Sequence, residues 1–363
     1  MKSDDESLRI FGWDQSWDRH FRGCVGEGLE PGRIFLENKG LYRIYTAAGE
    51  LTGEISGKLR FAARDREQLP AVGDWAVLRA RRGEGRATIH ALLPRRSQFI
   101  RKAAGERTEA QIVGVNIDTV LLVTSLNHEF NLRRMERYLA VAWESGASPA
   151  VVLTKADLCN DPAARVAEIS AIAPGVPIHV VSVVTSEGLG QLERYSGLGR
   201  TIALLGSSGV GKSTLINRLL GRDHLRVREV REGDDRGRHT TTHRELILLP
   251  GGGLVLDTPG MRELQIWDAE AGVQLAFDGI EALAANCYFS DCRHRDEPRC
   301  AVREALADGK LDQARFDSYE KLQREVRHFA LRQDARAQRV ERERWKQLTR
   351  EAKERSKAKR GGG

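Results

Sequence analysis

The stretch Gly206–Thr214, which reads GSSGVGKST, decides the fold. It follows the apolar run TIALL at 201–205 and precedes STLINRLL at 213–220, so the pattern G-x-x-x-x-G-K-[ST] lies between a predicted strand and a predicted helix. The glycines allow backbone N–H groups to converge on phosphate oxygens, and the helix N-terminus adds partial positive charge. We expect Lys212 to reach the β and γ phosphates and Ser213 to bind Mg²⁺. The predicted phosphate-binding residues are Gly206, Ser207, Ser208, Gly209, Val210, Gly211, Lys212, Ser213 and Thr214.

Short apolar runs alternate with helical patterns from about residue 112 to residue 267. The runs IDTVLLVTSL, PAVVLTKADL, IHVVSV, TIALL and GLVLDTPG end in polar or glycine-rich residues, whereas residues 131–146 and 212–221 have helical spacing. Continuous apolar strands joined by helices indicate a largely parallel sheet that is covered on both faces. Ligands of such sheets bind at the carboxyl ends of the strands, where the motifs of this region lie.

The sequence DTPG at Asp257–Gly260 follows the apolar run GLVL. An aspartate at this place can hold Mg²⁺ through water, and the backbone N–H of Gly260 can meet the γ-phosphate. Alone, DTPG is a common turn sequence. Downstream of a phosphate-binding loop it favours a switch element of a nucleotide hydrolase.

A third motif, TKAD, ends the predicted strand PAVVL. A carboxylate at Asp157 can accept hydrogen bonds from both N1–H and the exocyclic amine of guanine, a pair that adenine does not offer. The next apolar run ends at Ser182, whose loop can also contact the base. The predicted base-recognition residues are Thr154, Lys155, Ala156, Asp157 and Ser182.

Together these motifs resemble those of translation-factor-type GTPases, but their order is rotated. In ordinary GTPases the phosphate-binding loop comes first, whereas here the base-recognition motif at 154–157 precedes the loop at 206–214. A circular permutation leaves a fold unchanged, because the termini of a domain usually lie close together at its surface. The sequence therefore predicts a circularly permuted α/β GTPase domain.

The region from about Gly32 to Arg96 has a different texture. Short alternating runs such as GRIFLE, GLYRIYT, GEISGKLRF, GDWAVLRA and RATIHALL are separated by glycine-containing turns. Several short strands at such spacing predict a small all-β barrel or sandwich. Barrels of this size often bind oligonucleotides.

A cysteine and histidine cluster lies towards the C-terminus, in the order C-x4-C-x-H-x5-C. Three thiolates and one imidazole suit a closed tetrahedral site for a structural Zn²⁺ ion. Buried cysteines without a metal are the alternative, and Cys24 and Cys159, which lie outside the cluster, are interpreted as packing residues. The expected metal ligands are Cys287, Cys292, His294 and Cys300.

Composition narrows the class of protein further. The chain has 363 residues and a formal net charge of +7, with a pI of about 9.3, which favours a polyanionic partner without proving one. No run approaches the roughly 20 apolar residues of a membrane span, and the acidic start MKSDDESLRIFG is not a secretory signal. We therefore expect no membrane partner and a cytoplasmic location. The Arg/Lys-rich C-terminal tail fits either a solvated helix or an RNA contact.

A barrel, a permuted GTPase and a Cys/His cluster, in this order, closely resemble the ribosome small-subunit-dependent GTPase A family (RsgA/YjeQ). The likeness rests on ELPAVGDW with Gln68 interposed, PRRS, RHTTT, DTPGMRE and CYFSDCRHRDEPRC. It implies an N-terminal oligonucleotide-binding (OB) fold, a central permuted GTPase domain and a C-terminal, mainly helical zinc-binding domain. It also implies a monomer that binds GTP and GDP, contacts 16S rRNA and acts in late maturation of the 30S subunit. Thr154 departs from the commoner asparagine, with little expected loss of guanine binding.

The expected domain limits follow from these changes of texture. They are an N-terminal segment at 1–31, the barrel at 32–103, the GTPase domain at 104–268, the zinc-binding domain at 269–331 and the charged tail at 332–363.

The residue after the DTPG glycine is Met261, where many GTPases place a glutamine that orients the attacking water. The segment RHTTT offers Thr241 for Mg²⁺, and the resemblance implies that His239 is the catalytic histidine. A loop histidine that touches RNA or solvent is the alternative. A different class of function also stays open, namely a nucleotide-gated protein-binding or metal-handling module without an RNA role.

Overall fold

The computed structural model describes residues 2–24, 26–38, 40–102, 110–221, 244–258, 269–328 and 330. The helices in these ranges are α1 Lys2–Arg9, α2 Gln15–Arg22, α3 Gly57–Ala62, α4 Leu132–Ser145, α5 Pro162–Ile172, α6 Lys212–Leu220, α7 Glu270–Ala276, α8 Asp278–Ala284, α9 Ala301–Ala307 and α10 over 313–328. The strands are β1 Glu30–Asn38, β2 Leu41–Thr46, β3 Gly49–Ile55, β4 Trp75–Arg81, β5 Arg86–Leu92, β6 Gln98–Lys102, β7 Ala110–Val115, β8 Thr119–Ser125, β9 Ser148–Thr154, β10 Ile178–Val180, β11 Thr201–Leu205, β12 Arg244–Leu248 and β13 Leu254–Asp257.

The first five strands close into a barrel. They pair in the order β1-β2-β3-β5-β4, and β4 pairs back onto β1. The pairing of β3 with β5 is parallel and the other pairings are antiparallel. The interior is filled by alternating apolar side chains, with Ile34, Ile44, Leu78 and Ile89 fully buried. The expected small β-barrel is confirmed, and its five strands have the order of an OB-fold.

Two short helices cover one side of this barrel. Helix α2 begins after Asp14, whose side chain accepts hydrogen bonds from the backbone N–H groups of Ser16 and Trp17. Trp13 packs edge-on against Trp75 of β4, with ring centroids 4.7 Å apart. Trp13, Trp17 and Trp75 belong to one buried apolar cluster. The N-terminal segment that carries Trp13 and Trp17 therefore packs on the barrel.

The run GEISGKLRF differs from the alternating strand that its pattern suggested. Strand β3 ends at Ile55, and Gly57–Ala62 form helix α3. The helix begins here because the Ser56 hydroxyl accepts a hydrogen bond from the backbone N–H of Leu59. This cap satisfies one of the backbone donors that a strand would have paired.

The central region is a six-stranded sheet in the order β10-β9-β8-β11-β13-β12. All neighbours are parallel except β12, which runs antiparallel to β13. Strand β12 also pairs with β1 of the barrel through Leu36–Glu245 and Glu37–Arg244, so the barrel and the central sheet share one continuous set of hydrogen bonds.

Both faces of the central sheet are buried, as the continuous apolar runs predicted. Along β8, Val120 and Leu122 belong to the core on one face, while Leu121 and Val123 belong to the core on the other. This alternation is the two-residue period of a strand that is covered on both sides. Helices α4, α5 and α6 supply the covering layers.

Two of the C-terminal helices, α7 and α10, pack on α4. Gly272 of α7 lies so close to this helix that an added Cβ would be 2.1 Å from the carbonyl oxygen of Ala140. Its backbone N–H donates to Glu144, and Arg137 of α4 makes two hydrogen bonds of 2.8 Å to Glu325 of α10. Helix α4 therefore connects the GTPase sheet with the C-terminal region. None of the helices in the described ranges is long and apolar enough to cross a membrane.

Candidate functional site

The phosphate-binding loop connects β11 to α6 at the carboxyl edge of the sheet. At two positions of this loop the backbone geometry requires glycine. An added Cβ at Gly206 would lie 2.3 Å from the carbonyl oxygen of Val123, and Gly211 has a φ of 96° in the left-handed region. These positions let the backbone curl directly into the N-terminus of α6, as the motif predicted.

Lys212 is buried, with 8% of its surface exposed, and its ammonium lies inside the curl of the loop. It donates a hydrogen bond of 2.5 Å to the carbonyl oxygen of Gly206 and another to that of Ser207. The positive charge is thus held where phosphate oxygens would be received, which fits the role expected of this lysine.

The base-recognition motif lies at the end of β9. Lys155 adopts a φ of 59°, a turn that carries the chain away from the sheet and leaves Asp157 exposed. Ser182 is fully buried, and its hydroxyl donates a 2.5 Å hydrogen bond to Asp157 Oδ1. Ser182 Oγ also accepts from the backbone N–H of Thr185. The structure therefore brings Asp157 and Ser182, which are 25 residues apart, into direct contact.

Asp257 is the last residue of β13, which pairs with β11 in parallel through Ala203 and Leu256. The carboxylate therefore follows the strand next to the one that leads into the phosphate-binding loop. Gly260, Met261, His239 and Thr241 lie outside the described residues.

The predicted metal ligands come together in one cluster. The ligand atoms of Cys287, Cys292, His294 and Cys300 all lie within 4.8 Å of one another. The Cys287 and Cys300 sulfurs are 3.8 Å apart, and His294 Nδ1 lies 3.6 Å and 3.4 Å from them. A tetrahedral site with Zn–S bonds of about 2.3 Å has edges of roughly 3.8 Å between its sulfurs, so the cluster fits zinc.

The backbone around the cluster favours a thiolate at one ligand. Burial opposes ionisation of Cys287, but hydrogen bonds from the backbone N–H groups of Val302 and Ala301, and from the neighbouring thiols, lower the pKa of this thiol. Metal ligation requires the thiolate form of cysteine. His294 reaches the cluster from a left-handed turn with a φ of 61°.

Two residues that touch the phosphate-binding loop carry no motif that predicts this contact. Arg134 Nη1 of α4 donates a 2.6 Å hydrogen bond to Ser207 Oγ, and Tyr138 Oη lies 3.3 Å from the same oxygen. The available signal was their place at the start of the helix after β8, next to the strand ends where ligands of such sheets bind.

The two arginines of the segment PRRS have partners within the chain. Arg95 is mostly buried and binds Asp74 with two hydrogen bonds of 2.8 and 2.9 Å. Arg96 pairs with Asp14 and lies 4.2 Å over the ring of Trp17. These two arginines therefore hold the barrel and its covering helices together.

The comparisons with known proteins agree with this geometry. The model of the RsgA GTPase family matches residues 92–267. A small ribosomal subunit biogenesis GTPase RsgA from Opitutus terrae is 47% identical over 351 residues, which are 94% of this chain and 96% of that protein. The chain belongs to the RsgA GTPase family. It is accordingly a GTPase, a hydrolase that acts on GTP.

Two solved structures match most of the chain in fold. The crystal structure of YjeQ from Thermotoga maritima matches with a TM-score of 0.63 and 27% identity, over 82% of this chain and 98% of that one. The crystal structure of YloQ, a circularly permuted GTPase, matches with a TM-score of 0.58 and 23% identity, over 83% of this chain and 96% of that one. The expected barrel and permuted GTPase fold are confirmed.

Proposed function

We propose that this chain hydrolyses GTP to GDP and phosphate when it is bound to the 30S ribosomal subunit, and that it acts in late maturation of this subunit. The nucleotide part of the proposal rests on one contact. The Thr154 hydroxyl of the base-recognition motif donates a hydrogen bond to the carbonyl oxygen of Val210 in the phosphate-binding loop, which joins the two parts of a guanine nucleotide site. The name of the Opitutus relative, a small ribosomal subunit biogenesis GTPase, supports the ribosomal part. A monomeric protein of the cytoplasm fits this role.

In this proposal the bound nucleotide spans the carboxyl edge of the sheet. Asp157 reads the guanine edge and is oriented by Ser182, while Lys155 packs along the base. The loop at 206–214 holds the phosphates, and Lys212 turns from the loop carbonyls to the β and γ phosphates. Ser213, Asp257 and Thr241 are the candidates for Mg²⁺, which would neutralise developing charge on the phosphates.

Zinc has a structural role in this proposal. The donor set of three sulfurs and one imidazole nitrogen is closed, with no position for a reacting water. The ion would fix the loop at 287–300 between α8 and α9, next to helices that pack on α4.

An exposed aromatic residue supports an RNA partner at the barrel. The Phe61 side chain on α3 is 94% exposed, and the exposed cations Lys58, Arg60 and Arg64 surround it in sequence. Unpaired bases stack on aromatic rings while cations neutralise the backbone phosphates. We assign 16S rRNA as the occupant of this surface.

The attacking water needs a group to orient it, because Met261 cannot accept a hydrogen bond usefully at the position where a glutamine does so in many GTPases. We propose His239 for this role. Its neutral imidazole can accept one water proton, so the rate should rise with pH through the titration of this histidine. The 30S subunit would bring the segment RHTTT, which contains His239, into place.

GTP turnover with and without purified 30S subunits tests the proposal. We expect slow hydrolysis by the isolated chain and marked acceleration by the subunit. His239→Ala should abolish most of the stimulated turnover while nucleotide affinity stays, which marks an interaction made only in the transition state. Lys212→Ala should weaken nucleotide binding as well.

Co-sedimentation with 30S subunits over a salt series separates this function from a nucleotide-gated module without an RNA role. Binding dominated by phosphate contacts weakens steeply as salt rises. A chain that hydrolyses GTP but neither sediments with the subunit nor responds to it would contradict the ribosomal part and leave the GTPase assignment standing.

A further inference from the structure

The first half of α4 lies against the phosphate-binding loop. Arg134 and Tyr138 are four residues apart and therefore share one face of the helix. Both contact the Ser207 hydroxyl, at 2.6 Å from Arg134 Nη1 and 3.3 Å from Tyr138 Oη. Tyr138 is only 6% exposed, so this contact lies in a packed environment. Ser207, the second residue of the phosphate-binding loop, is thus held by α4, a helix that lies outside the loop motif.

Two cations meet at Ser207. The Lys212 ammonium donates to its backbone carbonyl, and the Arg134 guanidinium donates to its hydroxyl. The lysine of a phosphate-binding loop reaches the β and γ phosphates. Arg134 therefore acts at the end of the loop that receives these phosphates, whereas Asp157 and Ser182 form the base-reading contact elsewhere along the sheet edge.

The position of Arg134 is set by more than one contact. Glu129 Oε2, in the connection between β8 and α4, lies 3.4 Å from Arg134 Nη1. Both side chains are more than a third exposed, so this ion pair by itself contributes little stability. It gives the Nη1 atom that donates to Ser207 a second partner.

We propose that Arg134 is a positioning residue that favours GTP over GDP by holding the phosphate-binding loop through the Ser207 hydroxyl. GTP differs from GDP only at the γ-phosphate, which adds negative charge at the end of the loop where Lys212 and Arg134 converge. A positive charge held there stabilises the triphosphate more than the diphosphate. The inference rests on the proposed nucleotide site and names a further specificity residue in it.

Equilibrium dissociation constants for GTP and GDP, measured by competition with a fluorescent guanine nucleotide, test the inference. Arg134→Gln should weaken GTP binding about tenfold and GDP binding by less than about threefold, a difference expected for a partly screened charge. Arg134→Lys keeps the charge and should recover part of the preference. Arg137→Gln is the matched control, because Arg137 lies one turn along the same helix but binds Glu325. It should leave both dissociation constants unchanged.

A double-mutant cycle tests the route through Ser207. In a Ser207→Ala background, Arg134→Gln should cause little further loss, because the two residues act through one hydrogen bond. Tyr138→Phe removes a second contact to the same hydroxyl while keeping the ring, and it should shift the GTP preference in the same direction by less. If Arg134→Gln lowers the melting temperature, Tyr138→Phe tests the contact to Ser207 in its place.

The outcomes separate the inference from the function on which it rests. Equal losses of GTP and GDP affinity in Arg134→Gln would make the arginine a structural tether and overturn the proposal. Independent, additive effects of Arg134 and Ser207 would overturn the route. Failure of the wild-type chain to bind either guanine nucleotide would instead contradict the proposed function itself.

Discussion

The Thr154 hydroxyl donates a hydrogen bond of 2.7 Å to the carbonyl oxygen of Val210, so one buried side chain joins the base-recognition motif to the phosphate-binding loop. The two residues are 56 positions apart in the sequence. Thr154 is the position where the commoner residue of this motif is asparagine. The structure supplies a reason why threonine serves here, because its hydroxyl already reaches the loop backbone.

Replacing Thr154 by valine should therefore weaken GTP binding. Valine has nearly the same shape but no hydroxyl, so the buried Val210 carbonyl loses its donor, at a cost of about 1–3 kcal/mol. We expect a corresponding rise in the dissociation constant for GTP, with Thr154→Ser close to wild type because it keeps the hydroxyl. Wild-type affinity in the valine variant would show that the contact does not shape the nucleotide site.

Asp157→Asn should change the base that the protein prefers. Loss of the carboxylate removes paired charge-assisted hydrogen bonds to guanine, which costs roughly 2–4 kcal/mol of GTP affinity. Xanthine nucleotides should gain relative affinity, because their 2-oxo group can accept from the new amide. Competition binding with GTP, ATP and the xanthine nucleotide measures this shift. Unchanged selectivity for GTP over ATP would reject the role of Asp157.

The nucleotide motifs could be predicted from the sequence because each is a local pattern with its own backbone geometry. Gly211 shows this directly, since only a residue tolerant of its φ of 96° fits between the loop and α6. The cluster at 287–300 could be predicted for the same reason, as its four ligands lie within one short segment.

Contacts between distant segments could not be predicted. The sequence predicts Arg134 as one more exposed cation on an amphipathic helix. Only the folded chain shows that Arg134 donates a hydrogen bond to Ser207, which is 73 residues away. A basic run such as PRRS does not reveal which carboxylates face its arginines. In the structure Asp74 pairs with Arg95. The antiparallel strand β12 was missed as well.

Zinc removal should affect the C-terminal region first. One Zn²⁺ per chain should be recovered, and Cys292→Ser should lose it and destabilise the helices around the cluster, because site formation and local folding are coupled. Cys24→Ser is the control, since Cys24 is exposed and lies outside the cluster. Elemental analysis and thermal unfolding measure the two effects. A freshly isolated chain without zinc, or with iron in its place, would contradict the assignment.

Phe61→Ala should weaken binding to the 30S subunit without changing nucleotide affinity. Loss of a base–aromatic stack costs about 1–3 kcal/mol, so the chain concentration needed for half-maximal co-sedimentation should rise by roughly 5- to 150-fold. Leu275→Ala is the control, because Leu275 is also an exposed apolar residue, 57% exposed, but lies on α7. Equal behaviour of the two variants would remove Phe61 from the proposed RNA surface.

Arg33 forms an unusual junction between the barrel and the GTPase sheet. It lies on β1 and is only 2% exposed. Its guanidinium donates to the carbonyl oxygens of Phe11 and Asn116, at 2.5 and 3.0 Å, and to the Thr201 hydroxyl at 3.0 Å. Burial lowers the pKa of this arginine to about 10, since the charge is removed from water. One charged side chain thus joins three segments that are distant in sequence.

Arg33→Lys should destabilise the chain even though it keeps the charge. A lysine ammonium cannot reproduce the planar fork that serves three acceptors at once, so buried acceptors lose their donors, at a cost of about 2–4 kcal/mol. Because Thr201 begins the strand that leads into the phosphate-binding loop, GTP affinity should fall as well.

The control is Arg43→Lys on β2, whose pair with Glu50 is exposed and should change stability by less than about 1 kcal/mol. Urea unfolding and GTP titration of both variants give the comparison. If Arg33→Lys matched Arg43→Lys in stability, the junction would be held by the β1–β12 pairing and by apolar packing, and Arg33 would be a tolerated buried charge.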